Sequence, residues 1–252
     1  MITKRLIPVL LLRGESLVKG KGFRDHHYVG DPLNTVRIFN DKEVDELIIL
    51  DIEATAAGRS IPVPLVQQIS DECFMPFGVG GGIATVAQVA ELIRQGAEKV
   101  VLNTGALADP ALITAAAERV GGQSVTVMMD VKRNWLGREY VWSHCGSQRT
   151  AWSPLAWAQE AVARGAGELI VNALSLDGTG KGYDLELIGR IAAAVPVPVI
   201  GCGGAGEYAD LGRCLHETGA AAAAAGLLFT HYGPLRSVLV NYPTTAQREA
   251  FS

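Results

Sequence analysis

Short apolar runs alternate along the chain with longer segments in which apolar residues recur at helical spacing. The runs cover residues 6–12, 46–52, 77–80, 99–102, 124–130, 168–172, 199–202 and 220–225. Several are apolar at both alternating positions, which is typical of parallel strands covered on both faces. The helical segments include residues 63–73, 85–95, 110–119, 154–164, 184–195 and 207–218, and several end in a capping glycine. The eight runs predict an α/β protein with a single (βα)8 barrel domain over residues 1–252.

The chain also repeats itself. PFGVGGG at residues 76–82, a helix and GAEKVVLNTGA recur as PVIGCGGA at 198–205, a helix and GAAAAAAGLLF. IPVLLLR from Ile7 resembles VTVMMDVK from Val125 in the same way. This pattern predicts two half-barrels of similar design, so that each functional loop in one half has a counterpart in the other.

Composition narrows the function classes. Of 252 residues, 48% are hydrophobic and 19% charged, which excludes a disordered chain. The net charge of −4 provides no basic field for nucleic acid, and no apolar stretch approaches the ~18 residues of a membrane span. The four cysteines show no paired C-x-x-C spacing and no secretory signal is recognisable, so we expect reduced thiols and a cytoplasmic location.

Glycine-rich turns follow the third and seventh runs, at the end of the barrel where active sites lie. Backbone amides in such turns can donate to an anion, and the turns after the fourth and eighth runs precede helical segments with positive dipole ends. We therefore expect two phosphate cradles on opposite sides of one mouth; the alternative is that the glycines only make tight turns. The cradle residues are Gly81, Gly82, Asn103, Thr104, Gly203, Gly204, Gly226 and Leu227.

Asp130 ends the fifth run, where its carboxylate can move protons on a bound substrate; the alternative is a cap or a pair with Lys132. The repeat places Leu11 at the equivalent point of the first run, so half of a paired-carboxylate mechanism is missing. Asp51 ends the second run, and Asp177 and Gly178 lie in the loop after the sixth. These three can hold substrate hydroxyls or phosphate, or can serve turns and caps.

The ordered motifs IPVLLLRGESLVKG, ELIILDI, VGGGI, KVVLNTGA, MDVKR, RGAGELIVN, LDGTGKGYD and CGGAG span nearly the whole chain. Through them the chain resembles the cyclase subunit of imidazole glycerol phosphate synthase. The resemblance implies a barrel that receives ammonia from a glutaminase subunit and forms imidazole glycerol phosphate and an aminoimidazole ribotide at its mouth. It implies catalytic aspartates at the ends of strands one and five, of which only Asp130 is kept, and substrate contacts from Lys19, Asp51, Asn172 and Asp177.

Other departures from the cyclase pattern fall in the same mouth. The first loop reads GFRDHHYVGDP, Cys145 and Leu227 stand where serines are usual, and the ending HYGPLRSVLVNYP differs. These traits are similar to those of a paralogous branch associated with acetamidino modification of sugars in lipopolysaccharide and O-antigen biosynthesis. That resemblance implies two partners, a glutaminase and a separate sugar amidotransferase.

Charged residues at the amino ends of four strands form a second constellation. Arg5, Glu46, Lys99 and Glu168 can converge around the barrel axis with alternating charge. Similar residues in the cyclase family gate an ammonia passage, so we expect a gate here, with the glutaminase docked on that face; the alternative is a purely stabilising ion-pair ring.

Three functions remain open at this point. The first is an ammonia-handling barrel that has lost the cyclase acid or base, and the second is a working cyclase in histidine synthesis in which Asp51 or Asp177 compensates for Leu11. The third is a non-catalytic scaffold that activates the glutaminase. The related phosphoribosyl isomerase barrel is disfavoured because its reaction also uses two strand-end aspartates. No pattern indicates a metal or a cofactor, since the adjacent His26 and His27 alone make a poor metal site.

Overall fold

The computed structural model describes residues 4–233 and 235–249. Fourteen strands and ten helices, with one 3₁₀ turn, follow each other in this part of the chain. In order they are β1 (Arg5–Arg13), β2 (Ser16–Lys21), β3 (Arg24–Gly30), α1 (Pro32–Asp41), β4 (Leu47–Asp51), α2 (Val63–Glu72), β5 (Phe77–Gly80), α3 (Val86–Arg94), β6 (Lys99–Leu102), α4 (Thr104–Ala108), α5 (Ala111–Val120), the 3₁₀ turn (Gly122–Ser124), β7 (Val125–Arg133), β8 (Glu139–Ser143), β9 (Gln148–Arg149), α6 (Pro154–Ala163), β10 (Glu168–Ala173), α7 (Leu185–Ala192), β11 (Val199–Cys202), α8 (Tyr208–Glu217), β12 (Ala222–Ala225), α9 (Leu227–Thr230), β13 (His231–Tyr232), β14 (Ser237–Val238) and α10 (Thr245–Glu249).

Eight parallel strands close into a barrel. β1, β4, β5, β6, β7, β10, β11 and β12 pair in that order, and β12 returns to β1 with Arg5 opposite Ala222. The predicted (βα)8 barrel is confirmed, and the eight apolar runs are its strands. Their carboxyl ends meet at one face, which brings the candidate side chains of distant loops together.

Local sequence signals begin the surrounding helices. Thr85 and Gln88 form a reciprocal capping box at the start of α3, which satisfies amide groups that the first helical turn leaves unpaired. Asp31 caps α1 and Ser153 caps α6, each followed by a proline at the first helical position. The helices bury one face against the strands, as on α7 with Leu187, Ile188 and Ile191. These caps and faces explain why the helical periodicity of the sequence is a reliable guide here.

The eighth strand–helix unit differs from the regular pattern that the sequence predicts. After β12 the chain forms only the short helix α9, a ribbon of β13 and β14, and the short helix α10. Tyr242 then anchors the segment to the amino end of the barrel, because its buried hydroxyl donates to the carbonyl oxygen of Leu6 at 3.0 Å. The ending HYGPLRSVLVNYP has no helical spacing of apolar residues, which explains the missing long helix.

Two antiparallel additions rise beyond the carboxyl ends of the strands. β2 and β3 form a hairpin that continues from β1, and β8 and β9 extend the far end of β7. Neither addition belongs to the eight runs from which the barrel is predicted. β2 is buried at four consecutive residues and β3 is mostly exposed, so neither strand shows a clear apolar alternation.

Aliphatic and small side chains fill the barrel interior between its two ends. This inner layer contains Ile7, Val9, Ile48, Val101, Met128, Ile170, Ile200, Cys202, Ala222 and Ala224. Charged side chains lie at one end of the layer and polar side chains at the other, so the barrel has an apolar axis with a polar group at each end.

Candidate functional site

A cavity of about 100 Å³ lies at the carboxyl ends of the strands. Residues that lie far apart in the sequence meet around it, because the parallel strands all end at this face. Ten of the predicted site residues line it: Lys19, Asp51, Gly81, Gly82, Asn103, Thr104, Asp130, Asn172, Asp177 and Gly226. Gly178, Gly203, Gly204 and Leu227 are not among its lining residues.

Asp130 is buried at the end of this cavity, between two asparagine amides. Nδ2 of Asn172 donates to its Oδ1 at 2.7 Å, and Nδ2 of Asn103 donates to its Oδ2 at 2.9 Å. Burial raises the pKa of Asp130 to about 6, although both amide donors oppose that rise. A carboxyl group with such a pKa can exchange a proton near neutral pH, which is the property that a general acid or base needs.

The opposite side of the cavity is apolar. Leu11 lies there, paired with Val18 of β2 and with Leu50 of β4, and Leu50 and Phe23 also line the cavity. The position at which the cyclase pattern has an aspartate at the end of the first strand therefore carries a side chain that cannot transfer a proton. Phe23 was not among the predicted site residues, because nothing in the sequence indicates that the hairpin folds back over the mouth.

Asp51 lies on the cavity wall, but local contacts occupy its carboxylate. Its Oδ1 accepts the backbone amides of Glu53 at 3.0 Å and Ala54 at 3.1 Å, and its Oδ2 accepts from Arg59 at 2.5 Å. This is the turn-stabilising arrangement that the sequence leaves open as an alternative. A substrate would have to displace one of these donors to use Asp51 as an acceptor.

Lys19 and Asp177 form a largely buried ion pair across the mouth. Nζ of Lys19 is 2.8 Å from Oδ1 and 3.0 Å from Oδ2 of Asp177. The loop behind this pair holds the β2–β3 hairpin in place, since the amide of Gly22 donates to the carbonyl oxygen of Asp177 at 2.9 Å. Gly178 belongs to the same contact, because a Cβ at this residue would lie 2.3 Å from the carbonyl oxygen of Gly20. Close backbone approach therefore explains Gly178 without a ligand.

Gly81 and Gly82 of the first predicted cradle lie on the cavity wall in backbone conformations that favour glycine. Gly81 and Gly82 have φ values of +120° and +62°, and a Cβ at Gly82 would lie 1.8 Å from the carbonyl oxygen of Arg59. On the facing side, Oγ1 of Thr104 accepts from the amide of His144 at 3.0 Å and so keeps its own proton for a ligand. The thiol of Cys145 donates to the carbonyl oxygen of Ile52 at 3.3 Å, and burial raises its pKa to about 11. Cys145 is therefore a neutral thiol at this mouth rather than a nucleophile.

The second predicted cradle is divided. Gly226 lines the mouth, whereas Leu227 lines a neighbouring cleft of about 380 Å³. Gly203 and Gly204 have φ values of +86° and +111°, and a Cβ at Gly204 would lie 2.0 Å from the carbonyl oxygen of Gly182. These two glycines allow close contact between backbones, as the tight-turn alternative states.

Arg236 is a residue that sequence reasoning missed in this neighbouring cleft. Its Nη2 donates to the carbonyl oxygen of Thr179 at 3.0 Å and its Nη1 to that of Gly178 at 3.4 Å. The only signal in the sequence for Arg236 was the unusual ending of the chain. That signal did not indicate where the side chain of Arg236 would lie. Arg236 places a positive charge beside the second glycine-rich loop.

The four predicted gate residues converge at the amino end of the axis. Arg5 pairs with Glu46 and, at 2.5 Å, with Glu168; Lys99 is 2.9 Å from Glu46 and 2.7 Å from Glu168. Both carboxylates are buried, and the ring of alternating charge is closed. Thr126 adds a hydroxyl contact to Glu168 at 3.5 Å. This ring separates solvent at the amino face from the apolar interior.

The profile of the family described as "Histidine biosynthesis protein" matches residues 5–236. The chain belongs to this family. It is 44% identical over 243 residues to a Pseudomonas aeruginosa protein provisionally named imidazole glycerol phosphate synthase subunit hisF2, covering 96% of this chain and 97% of that protein. It is also 43% identical over 232 residues to imidazole glycerol phosphate synthase subunit HisF of Alkaliphilus metalliredigens, with 92% of each chain covered.

The HisF-like barrel thus combines two buried aspartates at its mouth, Asp51 and Asp130, with a charged ring at its floor. In residues 4–233 and 235–249 no group of three or more histidine, cysteine, aspartate or glutamate side chains is placed to hold a metal ion. The same ranges contain no helix that is both long and apolar enough to cross a bilayer.

Proposed function

We propose that this HisF-like barrel receives ammonia from a glutaminase on its amino-terminal face and conducts it to the mouth for formation of an acetamidino sugar. On this proposal it does not make imidazole glycerol phosphate at the rate of a cyclase. The single observation that carries the proposal is that the mouth has Asp130 at the end of the fifth barrel strand but Leu11 at the equivalent position of the first. The same barrel keeps the complete charged ring at its floor.

The floor of the barrel supports a glutaminase partner. Phe74 lies in the loop that leads into the amino end of β5 and is 89% exposed. It borders a pocket of about 290 Å³ with Asn40, Glu43 and Met75. A large exposed aromatic side chain next to a pocket is a common anchor of protein interfaces. A partner bound there covers the ring and can release ammonia directly above it.

The interior supports passage of a small neutral molecule. Between the ring and Asp130 the side chains are aliphatic, and Ala222 and Ala224 leave the least bulk on β12. Ammonium is far more costly to bury in such surroundings than neutral ammonia. The ring and the apolar axis therefore favour passage in the uncharged form.

The mouth supports loss of the cyclase reaction. Proton transfer by a positioned acid or base contributes ~10²–10⁴-fold, and Leu11 cannot provide it. The two carboxylates named above as substitutes for the missing group are engaged: Asp51 by Arg59 and two amides, and Asp177 by Lys19. These contacts argue against the alternative of a working cyclase in histidine synthesis. The departures at Cys145 and Leu227 fit the branch that works with a sugar amidotransferase.

Reconstitution with purified glutaminase tests the proposal. We expect the chain to bind the glutaminase and stimulate glutamine hydrolysis, while the family's cyclase substrate shows at most ~10⁻² of cyclase turnover with ammonium salt. With ¹⁵N-amide-labelled glutamine and the sugar amidotransferase present, the label is expected in an acetamidino sugar. Full cyclase turnover would refute the proposal. Glutaminase stimulation without any transfer of label would favour the non-catalytic scaffold.

A further inference from the structure

The hairpins around the mouth carry most of the exposed bulky apolar side chains in the described part of the chain. We call this surface the mouth rim: the β2–β3 hairpin, the β7–β8–β9 extension and the β13–β14 ribbon. Trp135 and Leu235 are each 90% exposed, and Tyr28 and Leu136 are 64% and 58% exposed. A cluster of such side chains around one opening is typical of a protein-binding surface.

The same rim carries cations that no carboxylate neutralises. Within residues 4–233 and 235–249 no carboxylate pairs with the exposed side chains of Lys21, Arg24, Lys132, Arg138 and Arg149. The carboxylates of the rim are Asp25 and Glu139, and Glu139 already pairs with Arg133 and Arg190. A chain of net charge −4 therefore concentrates free positive charge at its mouth.

Two of these cations stack on aromatic rings of the rim. Nζ of Lys132 is 5.0 Å from the centre of the Trp142 ring, and the guanidinium of Arg149 is 4.7 Å from that of Tyr140. These contacts keep the charges fixed while leaving them exposed. Because the cations already cover the two rings, the rings are poor platforms for nucleic-acid bases. The exposed aliphatic side chains of Leu136 and Leu235 also favour a protein over a nucleic acid.

Below the rim the mouth has little free chemistry of its own. Lys19 is paired with Asp177 and Asp51 with Arg59, which leaves Asp130 as the one carboxylate among these three that is unpaired in the described part of the chain, across the cavity from an apolar wall. An ammonia acceptor bound in this cavity alone would lack a second proton-transfer group. The groups that activate the acceptor must then come with another protein, whose active site has to cover the mouth to receive ammonia before it escapes.

We propose that the mouth rim is the docking surface for the acceptor enzyme, a protein with an acidic, partly apolar margin around its own active site. This inference rests on the proposed function and adds a location and a surface chemistry for the second partner. Trp135 and Leu235 supply the apolar anchors, and Lys132 and Arg138 supply the complementary charge. The barrel is thereby covered at both ends, by the glutaminase at the floor and the acceptor enzyme at the mouth.

Affinity measurements with charge-reversed variants test this surface. The probe is a purified sugar amidotransferase of the kind used in the reconstitution above, and the full-length barrel is used in complex with the glutaminase. We expect Lys132→Glu with Arg138→Glu, and separately Trp135→Ala, to weaken binding at least ~10-fold. Arg119→Glu is the matched control, because Arg119 is an exposed arginine on α5 without a carboxylate partner in the described residues. Binding of the unaltered complex is expected to weaken as salt increases.

The outcomes separate this inference from the proposed function. If ¹⁵N label still passes from glutamine to sugar while the rim variants bind and couple like the control, the docking surface is wrong and the proposed function stands. If no label passes from glutamine to sugar in the unaltered assembly, the proposed function is refuted, and the docking surface that rests on it is refuted with it. A single-stranded oligonucleotide is the third arm: if it binds the rim and the amidotransferase does not, a protein docking surface is excluded. Unchanged thermal stability and glutaminase binding show that the variants are folded.

Discussion

Asn172 on β10 and Asp130 on β7 share a hydrogen bond in which the amide donates and the carboxylate accepts, across 2.7 Å. Asn103 donates to the other oxygen of Asp130. Both asparagines leave their own Oδ1 atoms buried without a partner in the described residues. The two amide donors favour the carboxylate anion of Asp130, whereas burial disfavours it and raises its pKa.

Replacement of Asp130 by asparagine should stabilise the fold at high pH. Burial raises the pKa of Asp130 from 3.8 to about 6, so its contribution to stability is complete below 3.8 and is lost as the pH rises through about 6. Asp130→Asn removes that loss, and a flipped asparagine amide can accept the new donor. We expect a gain of at most ~3 kcal/mol near pH 8 over the effect near pH 4, measured by urea unfolding. A pH-independent effect would contradict this assignment.

An aspartate at residue 11 should restore part of the cyclase reaction. Leu11→Asp places a second carboxyl group across the cavity from Asp130, which provides the missing acid or base. We expect turnover of the family's cyclase substrate with ammonium salt to rise at least ~10-fold, as the lower part of the usual contribution of such a group. Leu11→Asn is the matched control, because asparagine has the same shape as aspartate but has no carboxyl group that can transfer a proton. Equal rates for the two variants would mean that the mouth lacks more than this carboxylate.

The barrel and most of the mouth could be predicted from the sequence, because both follow from strand order. Runs that alternate with helical segments determine which residues end strands, and Asp130, Asn172 and Asn103 meet for that reason alone. The charged ring at the floor could be predicted from strand order in the same way, since each of its four residues begins or directly precedes a barrel strand.

Contacts between loops could not be predicted in the same way. The return of the β2–β3 hairpin over the mouth depends on backbone approach between Gly20 and Gly178, and the position of Arg236 depends on a segment without periodicity. The engagement of Asp51 by Arg59 is a local turn that the sequence permits but does not require. Such features depend on tertiary contacts rather than on spacing, so they appear only in the structure.

Gly82 should tolerate alanine far less well than Gly58, although both have positive φ. At Gly58 φ is +65° with open space around a Cβ, so alanine costs only the backbone strain of about 1 kcal/mol. At Gly82 φ is also positive, and a Cβ would in addition lie 1.8 Å from the carbonyl oxygen of Arg59, so the loop that contains Arg59 must move. We expect Gly82→Ala to be destabilised by at least ~2 kcal/mol more than Gly58→Ala in thermal unfolding. Similar melting temperatures would show that the loop adapts freely.

Removal of one cation from the ring should leave two buried carboxylates poorly neutralised. Lys99→Met is expected to lower the free energy of unfolding by roughly 3 kcal/mol, because Glu46 and Glu168 lose a shared partner in a water-poor site. The comparison is Arg94→Met, which breaks an exposed pair with Glu91 and should cost less than ~1 kcal/mol. Urea unfolding of both variants measures the difference. A ring that costs no more to break than the surface pair would be solvated rather than buried.

His27 of the hairpin and His231 of the carboxyl-terminal segment form a latch at the rim. Their Nε2 atoms are 2.8 Å apart, and Nδ1 of His231 contacts the hydroxyl of Thr230 at 2.9 Å. One imidazole must be neutral to accept this hydrogen bond. Burial, His27, and the positive charges of Lys19 and Arg236 lower the pKa of His231 from its ordinary value of 6.5.

The latch should therefore open in acid. A histidine whose pKa is lowered by folding contributes stability above 6.5 that is lost as the pH falls through the lower folded value. We expect the protection factors of the amides of residues 16–30, which are the intrinsic exchange rates divided by the observed rates at each pH, to fall on acidification in the unaltered protein. His27→Phe should show low protection factors at every pH, because it lacks the hydrogen bond to His231. His26→Asn is the control, since His26 also has a lowered pKa but lies outside the latch, and it should keep the pH dependence. If His27→Phe keeps that dependence as well, another group controls the hairpin.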